Sequence, residues 1–228
     1  MIRVAIDGPS SAGKSTVARR LAKDFSIVYV DTGAMYRCIG LYVLRQGLDT
    51  RDRQAVCQCL DFIRMETSYD EVSGQRIFLN GEDVSEAIRT PEASMAASNV
   101  SAIPEVRSFL LALQQDMASH QSVIMDGRDI GTVVIPDAEL KIFLTASAES
   151  RAHRRCLEYQ QKGMPAEYDQ ILRDVIQRDE QDSTRASAPL RQAEDAVLID
   201  TTNIGFEETV ALMKKMMLET AQRLSLTI

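Results

Sequence analysis

The chain has 228 residues, of which 45% are hydrophobic and 26% charged, and its formal net charge is −7. This length allows one large domain with insertions or two small ones, and the composition is that of an ordinary globular protein. No apolar stretch reaches the roughly 18 to 20 residues that cross a bilayer, and the acidic balance argues against a nucleic acid polymer as partner. We expect a cytoplasmic location, because the N-terminal residues lack the pattern of a signal peptide.

The basic residues are unevenly divided between the two types, with 20 Arg and only 6 Lys. Arg suits bidentate contacts with phosphate and carboxylate groups. An acidic protein rich in Arg is therefore expected to bind a small phosphorylated ligand. The four cysteines match no common zinc pattern and are expected to be free thiols.

Five short apolar runs, separated by helical patterns, are typical of buried parallel strands. They cover residues 2–7, 27–31, 122–126, 140–144 and 196–200. Alternation of strand and helix predicts an α/β fold with a five-stranded parallel sheet covered on both faces. Four of the runs end on Asp, and ligands of such sheets gather at the carboxyl ends of the strands. These carboxylates are Asp7, Asp31, Asp126 and Asp200.

Two stretches depart from this alternation. In residues 62–88, apolar and polar residues alternate as they do in strands, and Ser73-Gly74 and Asn80-Gly81 are turn signals. This pattern predicts a small antiparallel insert. Residues 147–165 read as a charged helix that ends near Gly163, and this Arg-rich segment is interpreted as a short mobile lid. A final helix over 206–224 is expected to pack on the core.

Residues 8–15, GPSSAGKS, form a G-x-x-x-x-G-K-S pattern between the first strand and the first helix. The glycines allow the backbone N–H groups to wrap around phosphate oxygens, and the helix N-terminus adds positive charge. Lys14 would bridge the outer phosphates, and the Ser15 hydroxyl would take a Mg²⁺ position. The alternative is a purely structural glycine turn. The pattern predicts a site for a nucleoside triphosphate.

Switches, motors and kinases all bind a triphosphate in such a loop. Motifs elsewhere in the chain are therefore needed to tell these classes of protein apart. The N-K-x-D and D-x-x-G segments of a GTPase are absent from the sequence. Two polar segments follow predicted strands, one with Thr32, Tyr36 and Arg37 and one with Arg128, and together they indicate a site for an acceptor phosphate. The alternatives are a solvated helix face for Arg37 and a structural ion-pair cluster around Arg128.

The motifs GPSSAGKST, DTGAMYR, AASNVSAIPEVR, DGRDIGTVVIPDA, RAHRR and RDEQDSTRASAPL occur in this order along the chain. In this combination the sequence resembles the bacterial cytidylate kinases. The resemblance implies a single P-loop kinase domain over 1–228, with a monophosphate-binding lobe over about 36–95 that contains the insert near 62–88, and the lid at 147–165. It also implies transfer of the γ-phosphoryl group of ATP to CMP or dCMP with Mg²⁺, by a monomer.

The resemblance also assigns site residues, position by position. Expected catalytic residues are Lys14, Arg128 and Arg178. Expected ATP-binding residues are Gly8, Pro9, Ser10, Ser11, Ala12, Gly13, Lys14, Ser15, Thr16 and Arg154. Expected substrate-binding residues are Thr32, Tyr36, Arg37, Ser98, Arg107, Arg128, Asp129, Arg178, Asp182 and Arg185. Relatives often carry Ser at the position of Thr32, which preserves the hydroxyl.

Ser98, Arg107 and Asp129 match positions that read cytosine, and Asp182 and Arg185 match positions at the sugar. An acid opposite the cytosine amino group and an Arg opposite its acceptors complement this base. Uracil would face Asp129 with a carbonyl, which costs about 1 to 3 kcal/mol per mispaired group.

The transferred group is expected to lie among Lys14, Mg²⁺, Arg128, Arg178 and lid arginines. The lid candidates are Arg151, Arg154 and Arg155, and their spacing does not choose between them. Lid closure would exclude water from the reaction. Two rivals stay open: a kinase of the same architecture for UMP, AMP or shikimate, and a non-catalytic nucleotide-binding regulator.

Overall fold

The computed structural model of the protein describes residues 1–70 and 74–226. The strands are β1 (Arg3–Asp7), β2 (Val28–Asp31), β3 (Met65–Asp70), β4 (Gly74–Leu79), β5 (Glu82–Asp83), β6 (Val123–Gly127), β7 (Leu140–Thr145) and β8 (Val197–Asp200). The α-helices are α1 (Lys14–Phe25), α2 (Thr32–Arg45), α3 (Arg53–Leu60), α4 (Pro91–Ser101), α5 (Pro104–Ser119), α6 (Ala148–Gln161), α7 (Tyr168–Thr184) and α8 (Phe206–Leu224). A 3₁₀ turn covers Ala87–Arg89, and a π-helical turn covers Ile130–Val134.

The five predicted apolar runs form a five-stranded parallel sheet, which confirms the predicted fold class. Its strand order is β2-β6-β1-β7-β8. Strand β1 pairs in parallel with β6, where Asp7 is aligned with Gly127, and with β7, where Asp7 is aligned with Phe143. Strand β8 extends the sheet from β7, with Asp200 aligned with Thr145. All five residues of β6 and the last four of β1 are buried, as expected for strands covered on both faces.

The chain divides into two compact units, residues 1–27 with 122–228, and residues 28–121. In the second unit, helices α2 and α4 pack closely because Gly40 has no side chain. A Cβ built at Gly40 would lie 2.8 Å from the Cβ of Ala96. This helix pair forms a core with the β3-β4-β5 sheet and with α5, through buried residues that include Ile39, Ile77 and Leu110.

The predicted insert region contains an antiparallel sheet in the order β3-β4-β5. Asn80 and Gly81 both have positive φ, 51° and 85°, and connect β4 to β5 as a two-residue turn. Such a turn requires the left-handed region at both positions, which Asn and Gly tolerate. Of the other predicted turn, Ser73-Gly74, Ser73 lies outside the described residues.

Helix α6 covers most of the predicted lid and packs on α7. Their contact has a small apolar core of Ala152, Cys156, Ile171 and Val175. The chain turns after α6 at Gly163, whose φ is 66°, in the left-handed region that favours glycine. No helix among the described residues is long and apolar enough to cross a bilayer.

Candidate active site

The phosphate loop connects the end of β1 to the start of α1, and it requires glycine at two positions. Gly8 has a φ of 148°, and a Cβ there would lie 1.9 Å from the backbone oxygen of Leu144 on β7. Gly13 precedes α1 in the left-handed region with a φ of 95°. Close packing against β7 therefore requires glycine at position 8, and a left-handed turn favours it at position 13.

Lys14 is the first residue of α1, and its side chain is turned into the loop. Its ammonium donates a hydrogen bond to the backbone oxygen of Pro9 at 2.7 Å, and the residue is only 5% exposed. Burial lowers the pKa of Lys14, and the positive charge of Arg128 lowers it further. The same electrostatic neighbourhood includes Asp126, which raises this pKa.

Ser15 lies beside a strand-terminal carboxylate. Its hydroxyl donates to Oδ2 of Asp126 at 2.8 Å, and Asp126 is buried near the end of β6. Hydroxyl and carboxylate oxygens are the protein ligands of Mg²⁺ beside nucleotide phosphates. These two residues therefore fit a magnesium ion at this position. Ser15 was the only metal ligand expected from the sequence, although Asp126 lies at the end of a strand, where such ligands gather.

A cluster of guanidinium groups surrounds one carboxylate in the same unit. Nε of Arg128 donates to Oδ2 of Asp182 on α7 at 2.7 Å. Burial raises the pKa of Asp182, but the charges of Arg128 and Arg178 outweigh it and leave that pKa below its usual value. Arg185 follows α7, contributes in the same direction, and lies 3.6 Å from Oδ1 of Asp129. The predicted residues 128, 129, 178, 182 and 185 thus lie in one charged cluster.

The three arginines of α6 all contact residues 10–12 of the phosphate loop. Arg151 donates to the backbone oxygen of Ser10 at 3.2 Å, and it forms a buried ion pair with Asp179. Arg154 donates to the backbone oxygen of Ala12 at 3.4 Å and to Oγ1 of Thr201 at 3.0 Å. Arg155 donates to the hydroxyl of Ser11 at 3.4 Å.

These contacts separate the roles of the three arginines. Arg151 is buried and already neutralised by Asp179, so it holds α6, α7 and the loop together. Arg154 and Arg155 are bound to uncharged oxygens among the described residues. The sequence offered no signal for Asp179, because it is one of several acidic residues on α7.

In the second unit, the predicted phosphate-binding residues lie at the start of α2. Asp31 caps this helix by accepting from the backbone N–H of Ala34 at 2.9 Å, and its other oxygen accepts from Arg37 at 2.8 Å. Nε of Arg37 is buried and has no hydrogen-bond partner among the described residues. Thr32 is buried in the first turn of the helix. A helix N-terminus with a hydroxyl and an Arg suits an anion.

The predicted base-reading residues of this unit are also buried polar groups. The guanidinium of Arg107 lies 5.6 Å from the ring centroid of Tyr36 and donates to the backbone oxygen of Ser101. Ser101 in turn donates to the backbone oxygen of Ser98 at 2.9 Å. The hydroxyl of Ser98 is buried and lacks a hydrogen-bond partner within the described chain. Such an orphaned hydroxyl is costly unless a ligand satisfies it.

Comparison of the sequence with known families and proteins identifies one family, and comparison with solved structures shows a similar fold. The sequence profile of the cytidylate kinase family matches residues 4–219. The cytidylate kinases of Caldicellulosiruptor bescii and Caldicellulosiruptor saccharolyticus are 51% and 52% identical to this chain over 210 residues, which cover 92% of this chain and of each relative. An uncharacterized protein from Eubacterium ventriosum has a similar fold, with a TM-score of 0.52, 11% identity, and coverage of 94% of this chain and 97% of that one. The chain therefore belongs to the cytidylate kinase family.

Proposed function

We propose that this chain transfers the γ-phosphoryl group of ATP to the phosphate of CMP or dCMP, which gives CDP or dCDP and ADP. Membership of the cytidylate kinase family, by a match over residues 4–219, is the observation that supports it most strongly. The charge arrangement of the first unit adds support, because phosphoryl transfer depends on positioning and on neutralising charge.

The ATP phosphates would bind in the loop of residues 8–16, where backbone N–H groups, Lys14 and the N-terminus of α1 supply positive charge. Arg154 would add a further contact, and its position against Ala12 of the loop supports this role. Ser15 and Asp126 would hold Mg²⁺, which when bound neutralises charge on the phosphate oxygens.

The acceptor nucleotide is proposed to bind through its phosphate and its sugar. Thr32 and Arg37 are proposed to bind its phosphate, with Tyr36 beside it, and the buried Nε of Arg37 supports this. Arg128 and Arg178 are proposed to bind this phosphate as well. Asp182 and Arg185 would contact the sugar.

The cytosine ring is proposed to be read by Ser98, Arg107 and Asp129. The orphaned hydroxyl of Ser98 would gain a partner from the base, and Arg107 would face the ring acceptors. The carboxylate of Asp129 would accept from the amino group, which uracil lacks.

In the proposed reaction, an oxygen of the CMP phosphate forms a bond to the γ-phosphorus in line with the breaking bond to the β–γ bridging oxygen, and ADP leaves. Lys14, Arg128 and Arg178 neutralise the charge that this transfer shifts, so no strong base is needed. Lid closure would exclude water, which otherwise competes as acceptor. The cytoplasmic location and the monomeric state remain predictions from the sequence.

An acceptor panel tests the proposal directly. The purified protein is assayed for ADP release with ATP, Mg²⁺ and CMP, dCMP, UMP, AMP or shikimate. We expect kcat/KM to be highest for CMP or dCMP and at least about tenfold lower for UMP, from the cost of one mispaired group. Faster turnover of AMP or shikimate would refute the assigned acceptor, and absence of ADP release with every acceptor would favour a nucleotide-binding regulator.

Two substitutions test the assigned roles. Lys14→Ala should lower kcat by at least about a hundredfold, because it removes a positive charge that neutralises the transferred group. It should not lower stability, because the lost ammonium is a buried charge. Lys23→Ala on the exposed face of α1 is the control.

Ser98→Ala should raise KM for CMP about three- to tenfold and leave KM for ATP unchanged, as expected for one lost hydrogen bond. The exposed Ser119→Ala is the matched control, and an equal change in both variants would contradict the role of Ser98.

A further inference from the structure

The connection from β6 to β7 carries Arg128 and Asp129, and it crosses β1, which lies between these two strands. Crossovers between parallel strands usually contain an α-helix. Here residues 128–139 contain only the five-residue π-helical turn Ile130–Val134 as regular structure. So short a turn has few internal hydrogen bonds, and contacts from outside must hold its first residues.

Asp7, the last residue of β1, supplies these contacts. Its Oδ1 accepts from the backbone N–H of Ile130 at 2.7 Å, and its Oδ2 accepts from that of Gly131 at 2.8 Å. The first N–H groups of any helical turn have no partner within the turn, so Asp7 caps the turn from a neighbouring strand. Both N–H groups come directly after Asp129 in the chain.

The contact is buried and closely packed. Burial, together with the negative charge of Asp129, raises the pKa of Asp7 to about 6, although both N–H groups and Lys14 oppose this. A Cβ at Gly131 would lie 3.1 Å from Cδ of Lys141 and 3.4 Å from Oδ2 of Asp7. The turn therefore packs directly against the Asp7 carboxylate and the side chain of Lys141.

We propose that Asp7 is a positioning residue for acceptor specificity, because its two hydrogen bonds hold the start of the crossover and thereby place the carboxylate of Asp129 for the pyrimidine base. This inference rests on the proposed function. Asp7→Asn conserves the shape of the side chain but turns an NH₂ group toward one of the two N–H donors. One hydrogen bond is lost, two donors face each other, and the crossover must move away from β1.

The first test measures the ratio of kcat/KM for CMP to kcat/KM for UMP. This ratio does not depend on how much of the enzyme is folded, so a merely structural role of Asp7 would leave it unchanged. We expect Asp7→Asn to lower it at least tenfold. Asp137→Asn in the same crossover is the control, because this side chain is 73% exposed and its partner Arg3 also binds Glu139. The control should stay within twofold of the unsubstituted enzyme, and an unchanged ratio in Asp7→Asn would overturn the proposal.

A double-mutant cycle tests whether Asp7 acts through Asp129. In an Asp129→Asn background, Asp7→Asn should change the CMP to UMP ratio by less than twofold, because the group being positioned is already neutral. A full tenfold loss in that background would overturn this route. Gly131→Ala crowds the same turn at Cδ of Lys141 and should lower the ratio as well, which keeps the test available if Asp7→Asn folds poorly.

Hydrogen exchange separates this proposal from the proposed function. If the unsubstituted protein fails to phosphorylate CMP, the proposed function falls, and the exchange rates of the amides of Ile130 and Gly131 still test the positioning. Both amides should exchange at least tenfold faster in Asp7→Asn than in Asp137→Asn. Equal protection in the two variants would overturn the role of Asp7.

Discussion

The carboxylate of Asp182 holds together a cluster of positive charges, and its removal should have a measurable cost. Asp182 is 3% exposed, and its Oδ2 lies 2.7 Å from Nε of Arg128. The charges of Arg178 and Arg185 also lower its pKa. Asp182→Asn removes the negative charge and leaves three guanidinium groups close together. Breaking a buried ion pair by removing one partner costs about 3 to 5 kcal/mol.

This loss of stability corresponds to a decrease in the melting temperature. For a protein of this size, 1 kcal/mol corresponds to about 2 to 4 °C, so Asp182→Asn should lower Tm by roughly 6 to 20 °C. The uncompensated cluster should also bind an anion more tightly than in the unsubstituted protein. Inorganic phosphate should therefore raise Tm more in the variant.

The assay is thermal unfolding at pH 7 with and without millimolar inorganic phosphate. Glu82→Gln is the control, because it removes the partner of Arg45 in an ion pair whose side chains are 58% and 40% exposed. Its cost should be at most about 1 kcal/mol. If Asp182→Asn melts within 2 °C of the control, or if phosphate raises both melting temperatures equally, the cluster does not carry the expected uncompensated charge.

Two further predictions concern the stability effects of Gly8 and Asp182. An Ala in the left-handed region costs roughly 1 to 2 kcal/mol. Gly8→Ala should lower the free energy of unfolding by well over this amount, because its Cβ would overlap the backbone of Leu144. Gly47→Ala is the control and should cost only this amount, because a Cβ at Gly47 would meet no other atom of the described residues within 4 Å, and equal urea midpoints for the two variants would contradict the prediction. The depressed pKa of Asp182 means that its carboxylate stabilises the fold above the unfolded-state pKa near 3.8 and loses this effect as the pH falls through the folded-state pKa. The stability difference between the unsubstituted protein and Asp182→Asn should therefore be constant from pH 7 to about 5 and shrink below about pH 4, and a difference that persists in acid would contradict the assigned pairing.

Local features were predictable from the sequence because each depends on neighbouring residues. The apolar runs predict the five strands to within about one residue, since a buried parallel strand needs an unbroken apolar stretch. The glycines and Lys14 of the phosphate loop predict its position between β1 and α1. The last helix was also predicted, and Val210, Met213 and Met217 are buried in it, whereas its end residues Phe206 and Leu224 are 41% and 42% exposed.

The pairings that assemble the site were decided by the tertiary structure. Asp7 meets Ile130 across 123 residues, and Arg128 meets Asp182 across 54, because the strand order brings β1 between β6 and β7 and α7 returns to the same end of the sheet. Motif spacing carries no information on such pairings, since it does not determine which strands become neighbours. The sequence thus predicted which residues are candidates for the site, whereas the contact of Asp7 with Ile130 and Gly131 and the ion pair of Arg151 with Asp179 arise only when distant segments pack together.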